Sequence, residues 1–457
     1  MARRRIGPVT ADAGTDGLPQ IRHIVVLMME NHSYDNYLGM LTGRGDGLPL
    51  GPDGQPAVAN PARDGSQVPL RRAPAVSQQK LVPTQSWHAS HRQWNDGGCD
   101  GFVASVEDLA AGLDPAAGMV YWTEQDLPFY YGLARTFPLA TRWFSSCLGP
   151  TFPNRRFLVS GTAHGLVDDL PFGMIDYPDS GTIFDHLDAH GISWVNYHHV
   201  APLRANWRLL SRARGLTYLR VLLAAIGGIF GQLLPWLETK LIATAGTYPL
   251  GFLRTVNHLR PAADFFAAAS AGTLPSVAIV DPDFKAGSEE NPQDIQIGEA
   301  FAARVINAVM DGPGWPQTLL VWLYDEHGGY YDHVPPPAAP APDDVPGLSP
   351  YQRYRLLRVF RRTALGRKMA AADAGPQTYT RLGFRVPAVI VSPYARPDFV
   401  TDQVYDHTAI LRLIQRKWSL PPMTRRDAAA ADLLGVLDLD GPGAFMTPPR
   451  LPAPARG

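Results

Sequence analysis

The segment TLLVWLYDEHGGYYDHVPPP (residues 318–337) starts as a continuous apolar run and ends in a dense group of ionisable side chains. Its apolar part, residues 319–323, is typical of a central strand that is covered on both faces. In an open α/β sheet, ligands bind beyond the carboxyl ends of the parallel strands. The segment therefore predicts a strand that carries ionisable groups into a binding site. These groups belong to Asp325, Glu326, His327, Asp332 and His333.

Four further apolar runs also end in polar residues. Helical patterns lie between them, at 294–310 and 407–418. Strands that alternate with helices predict an α/β fold, with a mostly parallel central sheet sandwiched between helices. We expect the polar ends of all five runs on one rim of this sheet. The four runs are IRHIVVLMM (21–29) before Glu30, SWVNYHH (193–199) ending in two histidines, SVAIV (276–280) before Asp281, and RVPAVIVSPYA (385–395), which contains Ser392.

The composition of the chain is that of a globular protein. Its 457 residues are 45% hydrophobic and 18% charged, with a formal net charge of −1. We interpret residues 1–457 as a single domain. The near-neutral charge gives no general attraction to nucleic acid, so no nucleic-acid partner is predicted. Residues 1–20 contain no apolar core of the kind that secretory signals carry, which predicts a cytoplasmic location.

Two segments are predicted to be insertions in this domain. The first, at about 205–255, is apolar and helical, and the second, at about 338–378, is Pro-rich and then basic. Peripheral membrane contact would use 216–253 as an apolar surface and 351–368 as a basic one. The alternative is that the apolar segment packs on the body of the protein and the arginines pair with acids. A spanning helix is not expected, because glycines and a proline interrupt the apolar run.

The predicted rim is rich in carboxylates, which histidines accompany. Hard oxygen ligands with a few imidazoles suit a divalent cation that polarises a phosphoryl or carbonyl oxygen. The alternative for any single acid is a helix cap or an ion pair with arginine. We favour a functional role for Asp325 and Glu326, because they end a buried strand. The whole set is Glu30, Asp281, Asp283, Asp325, Glu326, Asp332, His32, His198, His199, His327 and His333.

A candidate nucleophile lies in CLGPTFPNRRFLVSGT (147–162). Thr151 precedes Pro153, and proline favours the first turn of a helix. The threonine is therefore predicted at or just before the N-cap, where free backbone N–H groups and the positive end of the helix dipole favour an alkoxide or a phosphate. Asn154 and Arg155 add donors. The alternative is an ordinary threonine cap.

Taken together, these motifs resemble the bacterial phospholipase C and acid phosphatase family of phosphoesterases, within the alkaline-phosphatase-like superfamily. The Glu-Asn pair and the Asp-Glu-His-Gly-Gly block are the specific signals. The matching segments keep the family's order along nearly the whole chain. They are MMENHSYDNYLG (28–39), HRQWNDGGCDGF (91–102), LGPTFPNRRFLVSGT (148–162), DPDF (281–284), YDEHGGYYDHVPPP (324–337), FRVPAVIVSPYA (384–395) and YDHTAILRLI (405–414).

The resemblance implies a hydrolase of phosphoric esters that uses one divalent metal ion, Ca²⁺, Mg²⁺, Mn²⁺ or Zn²⁺. Thr151 would be a nucleophile that forms a phospho-threonine intermediate and also touches the metal. The implied metal ligands are Glu30, Asn31, Thr151, Asp325 and Glu326. The candidate catalytic residues are Thr151, Asn31, His88, His199 and His327. The candidate substrate-binding residues are Asn154, Asp281, Asp332 and His333.

The sequence departs from the family pattern at two positions near the expected phosphate. Relatives often carry a histidine where this chain has Gln85, and another where it has Asn291. These departures leave the acid that protonates the leaving group unassigned. His88 and His199 are the candidate replacements.

Three functions are compatible with this sequence. The first is hydrolysis of phospholipid phosphodiesters, which the apolar insertion favours. The second is phosphomonoesterase activity on small soluble phosphoesters. The third is a catalytically silent lipid-binding protein, against which the five intact metal and nucleophile positions argue. The substrate partner is accordingly a phospholipid or a small phosphoester.

Overall fold

A computed structural model of the protein describes residues 16–169, 176–199, 243–248, 251–348 and 378–456. Most of the first predicted insertion and the basic part of the second lie outside these residues. Of the predicted membrane surfaces at 216–253 and 351–368, residues 216–242, 249–250 and 351–368 therefore lie outside the described residues. Within the described ranges, no helix has the length and apolar character needed to cross a bilayer.

The central sheet has eight strands in the described part of the chain, in the order β12-β6-β11-β10-β1-β9-β7-β8. The five predicted apolar runs form five adjacent strands at its centre, which confirms the α/β prediction. Two small pairs, β2 with β3 and β4 with β5, lie apart from this sheet. The strands are β1 (His23–Met29), β2 (Ala59–Pro61), β3 (Gln67–Pro69), β4 (Arg71–Arg72), β5 (Val120–Tyr121), β6 (Leu139–Ala140), β7 (Trp194–His198), β8 (Leu259–Pro261), β9 (Val277–Val280), β10 (Thr318–Tyr324), β11 (Ala388–Val391) and β12 (Val400–Thr401).

Helices surround the sheet. Every residue of β1 and β10 is buried. Because successive side chains of a strand point to opposite faces, both faces of the sheet are covered. The α-helices are α1 (Tyr34–Leu38), α2 (Trp87–Trp94), α3 (Phe102–Leu109), α4 (Pro128–Thr136), α5 (Thr151–Ser160), α6 (Ile183–Ala189), α7 (Phe252–Thr255), α8 (Ala262–Ala271), α9 (Ile295–Met310), α10 (Thr408–Trp418) and α11 (Arg425–Ala429).

The register of the central strands brings the predicted site residues together. Strand β1 runs parallel to β10, with Met29 opposite Tyr324, so Glu30 and Asp325 leave the sheet side by side. Strand β9 is parallel to both β1 and β7, so Asp281 leaves the sheet at the same rim.

The prediction of one common rim is wrong for β11. This strand is antiparallel to β10, with Leu320 opposite Val391. Ser392 therefore lies at the other rim, where its hydroxyl donates to the carbonyl of Thr318 at 3.1 Å. The apolar pattern of a buried strand is the same in both directions, so the sequence carried no signal of this reversal.

Candidate active site

Three carboxylates meet around the guanidinium of Arg155. Its Nη2 lies 3.0 Å from Glu30 Oε1, its Nη1 lies 2.9 Å from Asp281 Oδ1, and its Nε lies 3.2 Å from Asp325 Oδ2. All four side chains are almost completely buried. Although burial opposes the charge, the three carboxylates outweigh it and raise the pKa of Arg155. The centre of the rim is thus a buried ionic cluster with more acids than bases.

Asn31 is held rigidly beside this cluster. Its backbone adopts the left-handed region, with φ of 69°, which asparagine tolerates better than most residues. Its N–H donates to Asp325 Oδ1 at 3.2 Å, and its Nδ2 donates to Glu30 Oε2 at 2.9 Å. Gln85 Nε2 donates to its Oδ1 at 2.9 Å. Gly328 has to be glycine, because a Cβ there would lie 1.9 Å from the carbonyl oxygen of Asn31.

Glu326 carries an unsatisfied oxygen. Its Oε2 accepts the N–H of Gly328 at 2.8 Å, but its buried Oε1 has no hydrogen-bond partner within the described residues. Burial and the charge of Asp325 raise the pKa of Glu326 well above its usual value, and the same two causes act on Glu30. An orphaned buried carboxylate oxygen and uncompensated negative charge fit a metal cation bound by Glu30, Asn31, Asp325 and Glu326.

Thr151 is the first residue of α5, directly after the N-cap residue Pro150. Arg155 lies one turn further on, so the two side chains share a face of the helix. Because Arg155 contacts the carboxylates, Thr151 faces the same rim, where it is 9% exposed. The helix begins two residues before Pro153, so Thr151 is its first residue, whereas the sequence predicts Thr151 at or just before the N-cap. A proline in the first turn costs no hydrogen bond, because those N–H groups have no partner within the helix.

Asn154 and Asp281 hold backbone in place around this rim. Asn154 Oδ1 accepts the N–H of Cys147 at 3.0 Å, and its Nδ2 donates to the carbonyls of Gly149 at 2.8 Å and Pro150 at 3.0 Å. Asp281 accepts from the hydroxyl and N–H of Thr244, at 2.6 and 2.8 Å, in addition to Arg155. Direct substrate binding by either side chain stays a prediction, and it would require these bonds to be exchanged.

The three predicted catalytic histidines lie in different environments. His327 is buried, with its Nε2 2.7 Å from Gln93 Oε1, and burial lowers its pKa to about 3. The ring is therefore neutral and positioned. His199 is exposed at the end of β7, with Nδ1 3.5 Å from Asp283 Oδ2. His88 is exposed in the first turn of α2. Their catalytic roles stay predictions.

Asp332 and His333 belong to a separate network. Arg385 donates to Asp332 Oδ1 at 2.8 Å and to Asp35 Oδ1 at 2.9 Å, and His333 Nδ1 lies 2.6 Å from Asp35 Oδ2. One ligand atom from each of Asp35, Asp332 and His333 lies within 4.8 Å of the other two, so the group can also hold a metal ion. Arg385 already supplies positive charge to both carboxylates there. At the rim, by contrast, the buried Glu326 Oε1 has no hydrogen-bond partner within the described residues.

The His333–Asp35 contact predicts a pH-dependent contribution to stability. Burial opposes the charge on the His333 ring, but the hydrogen bond to Asp35 and the nearby carboxylates raise its pKa. The stabilisation is complete below the unfolded pKa of about 6.5 and is lost as the pH rises through the folded pKa. We expect His333→Gln to lower the free energy of unfolding by about 1 kcal/mol at about pH 5.5 and by less at about pH 8.5. Urea unfolding of both proteins measures this, and a difference that grows with pH would contradict it.

Two positioning groups had no role in the sequence-based prediction. His407 Nε2 donates to the carbonyl of Asp325 at 2.7 Å, while Trp143 Nε1 lies 3.3 Å from its Nδ1. The motif at 405–414 contained this histidine but did not reveal its partner. Glu289 accepts hydrogen bonds from three tyrosine hydroxyls at 2.5 to 2.8 Å. These tyrosines come from three distant segments, so no local pattern could have indicated the cluster. They are Tyr37, Tyr130 and Tyr324.

The family comparison agrees with this geometry. A model of the "Phosphoesterase family" matches residues 21–421. The chain belongs to the phosphoesterase family. This phosphoesterase is therefore a hydrolase that acts on phosphoric esters, and the resemblance drawn from its motifs is confirmed.

The phosphoesterase is also similar to curated proteins. It is 28% identical to phospholipase C A of Mycobacterium tuberculosis over 96% of this chain and 80% of that protein. It is 29% identical to the hemolytic phospholipase C of Pseudomonas aeruginosa over 98% of this chain and 60% of that protein. It is 27% identical to non-specific phospholipase C6 of Arabidopsis thaliana over 95% of this chain and 74% of that protein.

Proposed function

We propose that this phosphoesterase hydrolyses phospholipid phosphodiesters in the manner of a phospholipase C. The observation that carries the proposal is the convergence of Glu30, Asn31, Asp325 and Glu326 beside the first turn of α5. The likeness to phospholipase C A over 96% of this chain supports the substrate class.

The metal ion is part of the proposal. Glu30, Asn31, Asp325 and Glu326 would hold one divalent cation, which neutralises charge on the phosphoryl oxygens when bound. Mostly oxygen ligands favour Ca²⁺, Mg²⁺ or Mn²⁺, and Zn²⁺ is the further candidate. Arg155 keeps the carboxylates of Glu30, Asp281 and Asp325 together. His407 fixes the backbone of Asp325, and Gln85 fixes the side chain of Asn31.

Thr151 would carry the covalent chemistry. Its hydroxyl gives up its proton and its oxygen attacks phosphorus. The bond from phosphorus to the diacylglycerol oxygen breaks, and that oxygen takes up one proton and leaves as the alcohol, so the step gains and loses one proton. Water then cleaves the phospho-threonine and releases the head-group phosphate. Two in-line steps replace one difficult step, and the positive end of the α5 dipole would lie beside the charge that develops. The N–H of Phe152 in this first turn donates to Asp169 Oδ1 at 3.0 Å. The proton donor is a further prediction, with His88 and His199 as the candidates.

Product analysis tests the function. With phosphatidylcholine vesicles and added divalent cations, the proposal predicts diacylglycerol and phosphocholine in equal amounts. Phosphatidic acid and choline as the products would contradict a phospholipase C reaction. The alternative of a phosphomonoesterase on soluble substrates predicts rapid hydrolysis of p-nitrophenyl phosphate and none of the vesicle lipid. A silent lipid-binding protein predicts no turnover of either.

Removal of the metal gives an independent prediction. A chelator is expected to lower turnover by at least about a hundredfold, because the rim then holds uncompensated carboxylates against an anionic substrate. One of the four candidate cations should restore it. Elemental analysis should find one equivalent of metal in the wild type and much less in the Asp325→Asn/Glu326→Gln double variant. Full activity in chelator, or full metal content in the variant, would contradict the assignment.

Peripheral membrane contact is proposed from sequence alone, since its segments lie outside the described residues. Apolar side chains within 216–242 and basic ones within 351–368 would give lipid binding that weakens with salt. Co-sedimentation with anionic liposomes tests this. Equal sedimentation at low and high salt would favour packing of these segments on the protein.

A further inference from the structure

A cavity of about 490 Å³ lies near the carboxylate rim, since the charge of Asp325 acts on Glu290, which lines the cavity. The ring of Phe284, which lines it, packs against Arg155, with the guanidinium carbon 4.9 Å from the ring centroid. Because Arg155 holds Glu30 and Asp325, a substrate with its phosphate at the rim can extend into this cavity. Other lining residues are Ser77, Gln79, Glu290 and Asn291.

The carboxyl group of Glu290 is half-buried in this cavity. Burial and the charge of Asp325 raise its pKa to about 7, so a cation placed beside it would favour the ionised form. Within the described residues, this carboxyl group forms no hydrogen bond and no ion pair, although the exposed Lys285 lines the same cavity. Burial and the charge of Asp325 are the largest causes that raise the pKa values of Glu30 and Glu326, and Glu290 is a smaller cause that acts in the same direction. Its charge therefore acts on the same region as the rim carboxylates.

Glu290 is held in place before any ligand binds. Its backbone N–H donates to Ser288 Oγ at 3.2 Å. On one side, Glu289 is anchored by three tyrosine hydroxyls. On the other side, Asn291 Nδ2 donates to the carbonyl of Leu81 at 3.2 Å and to the hydroxyl of Tyr330 at 2.9 Å. A side chain carried on backbone that is fixed in this way loses less entropy on ligand binding than one on a mobile loop.

The balance of charge decides which ligand suits this position. Within the described residues, the ionised carboxylates of Glu30, Asp281, Asp325, Glu326 and Glu290 are accompanied by Arg155 at the rim and by Lys285 in the cavity. One divalent cation would still leave an excess of negative charge there. A phosphodiester adds a further negative charge. The part of the substrate that lies next to Glu290 must therefore be neutral or positive, and a positive group gains most.

We infer that Glu290, with the ring of Phe284, binds a cationic ammonium group on the alcohol that stays attached to the transferred phosphate. An ammonium gains both from the carboxylate and from the face of an aromatic ring. The inference rests on the proposed function and deepens it: Glu290 is a specificity-determining residue for head groups of the choline or ethanolamine type.

A matched pair of soluble substrates tests the role of Glu290. One is p-nitrophenyl phosphorylcholine, and the other is the ester of the same shape in which carbon replaces the quaternary nitrogen. For the wild type, kcat/KM should favour the choline ester by about tenfold to a hundredfold. In Glu290→Gln, the preference should fall to within about threefold, with little change for the neutral ester. Glu290→Asp, which keeps the charge, should retain part of the preference.

The controls separate this inference from the proposed function. Glu124→Gln removes an exposed carboxylate that pairs with Arg135, and it should leave the preference unchanged. If Glu290→Gln lowers kcat/KM by the same factor for both esters, Glu290 acts in the phosphoryl chemistry that they share, and the inference is overturned. An unchanged kcat/KM for both esters would also overturn it. If the wild type hydrolyses neither ester, the proposed function fails. In that case, calorimetry of phosphocholine and of its carbon isostere tests the role of Glu290 in binding. Equal affinities of the wild type for the two compounds would overturn that role.

Discussion

Thr151→Ala is expected to lower kcat by at least about a thousandfold, since loss of an essential nucleophile removes the covalent route altogether. The hydroxyl of Thr151 lies at the start of α5, and Arg155 on the same face contacts Glu30 and Asp325. The fold should tolerate the change, because alanine is a good helix former and the N-cap residue is Pro150.

Thr151→Ser is the matched control for this prediction. It keeps the hydroxyl and removes only a methyl group, so it should retain far more activity than the alanine variant. Thermal unfolding of all three proteins would show that the loss is chemical. If Thr151→Ala keeps more than about a tenth of wild-type turnover, Thr151 is not the nucleophile.

Arg155→Met is expected to destabilise the protein by about 3 to 5 kcal/mol, because breaking a buried ion pair leaves its partner charged in a low dielectric. Here three carboxylates lose the same partner, those of Glu30, Asp281 and Asp325. Methionine fills much of the volume, so the effect reports charge more than packing. Urea unfolding in chelator measures it without compensation by a metal ion.

Surface and conservative variants make the Arg155 result interpretable. Arg135→Met breaks an exposed pair with Glu124 and should cost less than about 1 kcal/mol. Arg155→Lys keeps the charge but loses the planar fork that reaches three acids, so its stability should lie between those of wild type and Arg155→Met. An Arg155→Met protein within about 1 kcal/mol of wild type would contradict the role of Arg155 as the buried counter-charge.

Much of the fold could be predicted from the sequence because its strongest signals are local. The run at 318–324 is too short and too apolar for anything but a buried strand, and four similar runs alternate with helical patterns. Once parallel strands are assumed, the residues that follow them meet at one rim. Glu30 and Asp325 could therefore be paired before any register was known, and the structure places them side by side.

The remaining features depend on contacts that no local pattern contains. An antiparallel strand carries the same kind of apolar run as a parallel one, so the sequence of β11 does not indicate its direction. The predicted rim for Ser392 is therefore wrong. The sequence predicts Arg155 as an added donor beside Thr151, but three carboxylates that are distant in sequence surround its guanidinium. Asn154 is predicted to bind substrate, a role that stays a prediction, and its amide also holds the loop before Thr151.

Mass spectrometry of the acid-quenched reaction tests the central claim most directly. A slowly hydrolysed choline phosphodiester is mixed with the enzyme and divalent cation, and the reaction is quenched while product is being formed. After proteolysis, we predict that the peptide containing Thr151 carries the added mass of the phosphocholine group, attached to Thr151 itself, and that Thr151→Ser carries it on the serine. Modification of a different residue, or no modified peptide while the burst of released alcohol equals the enzyme concentration, would contradict the account.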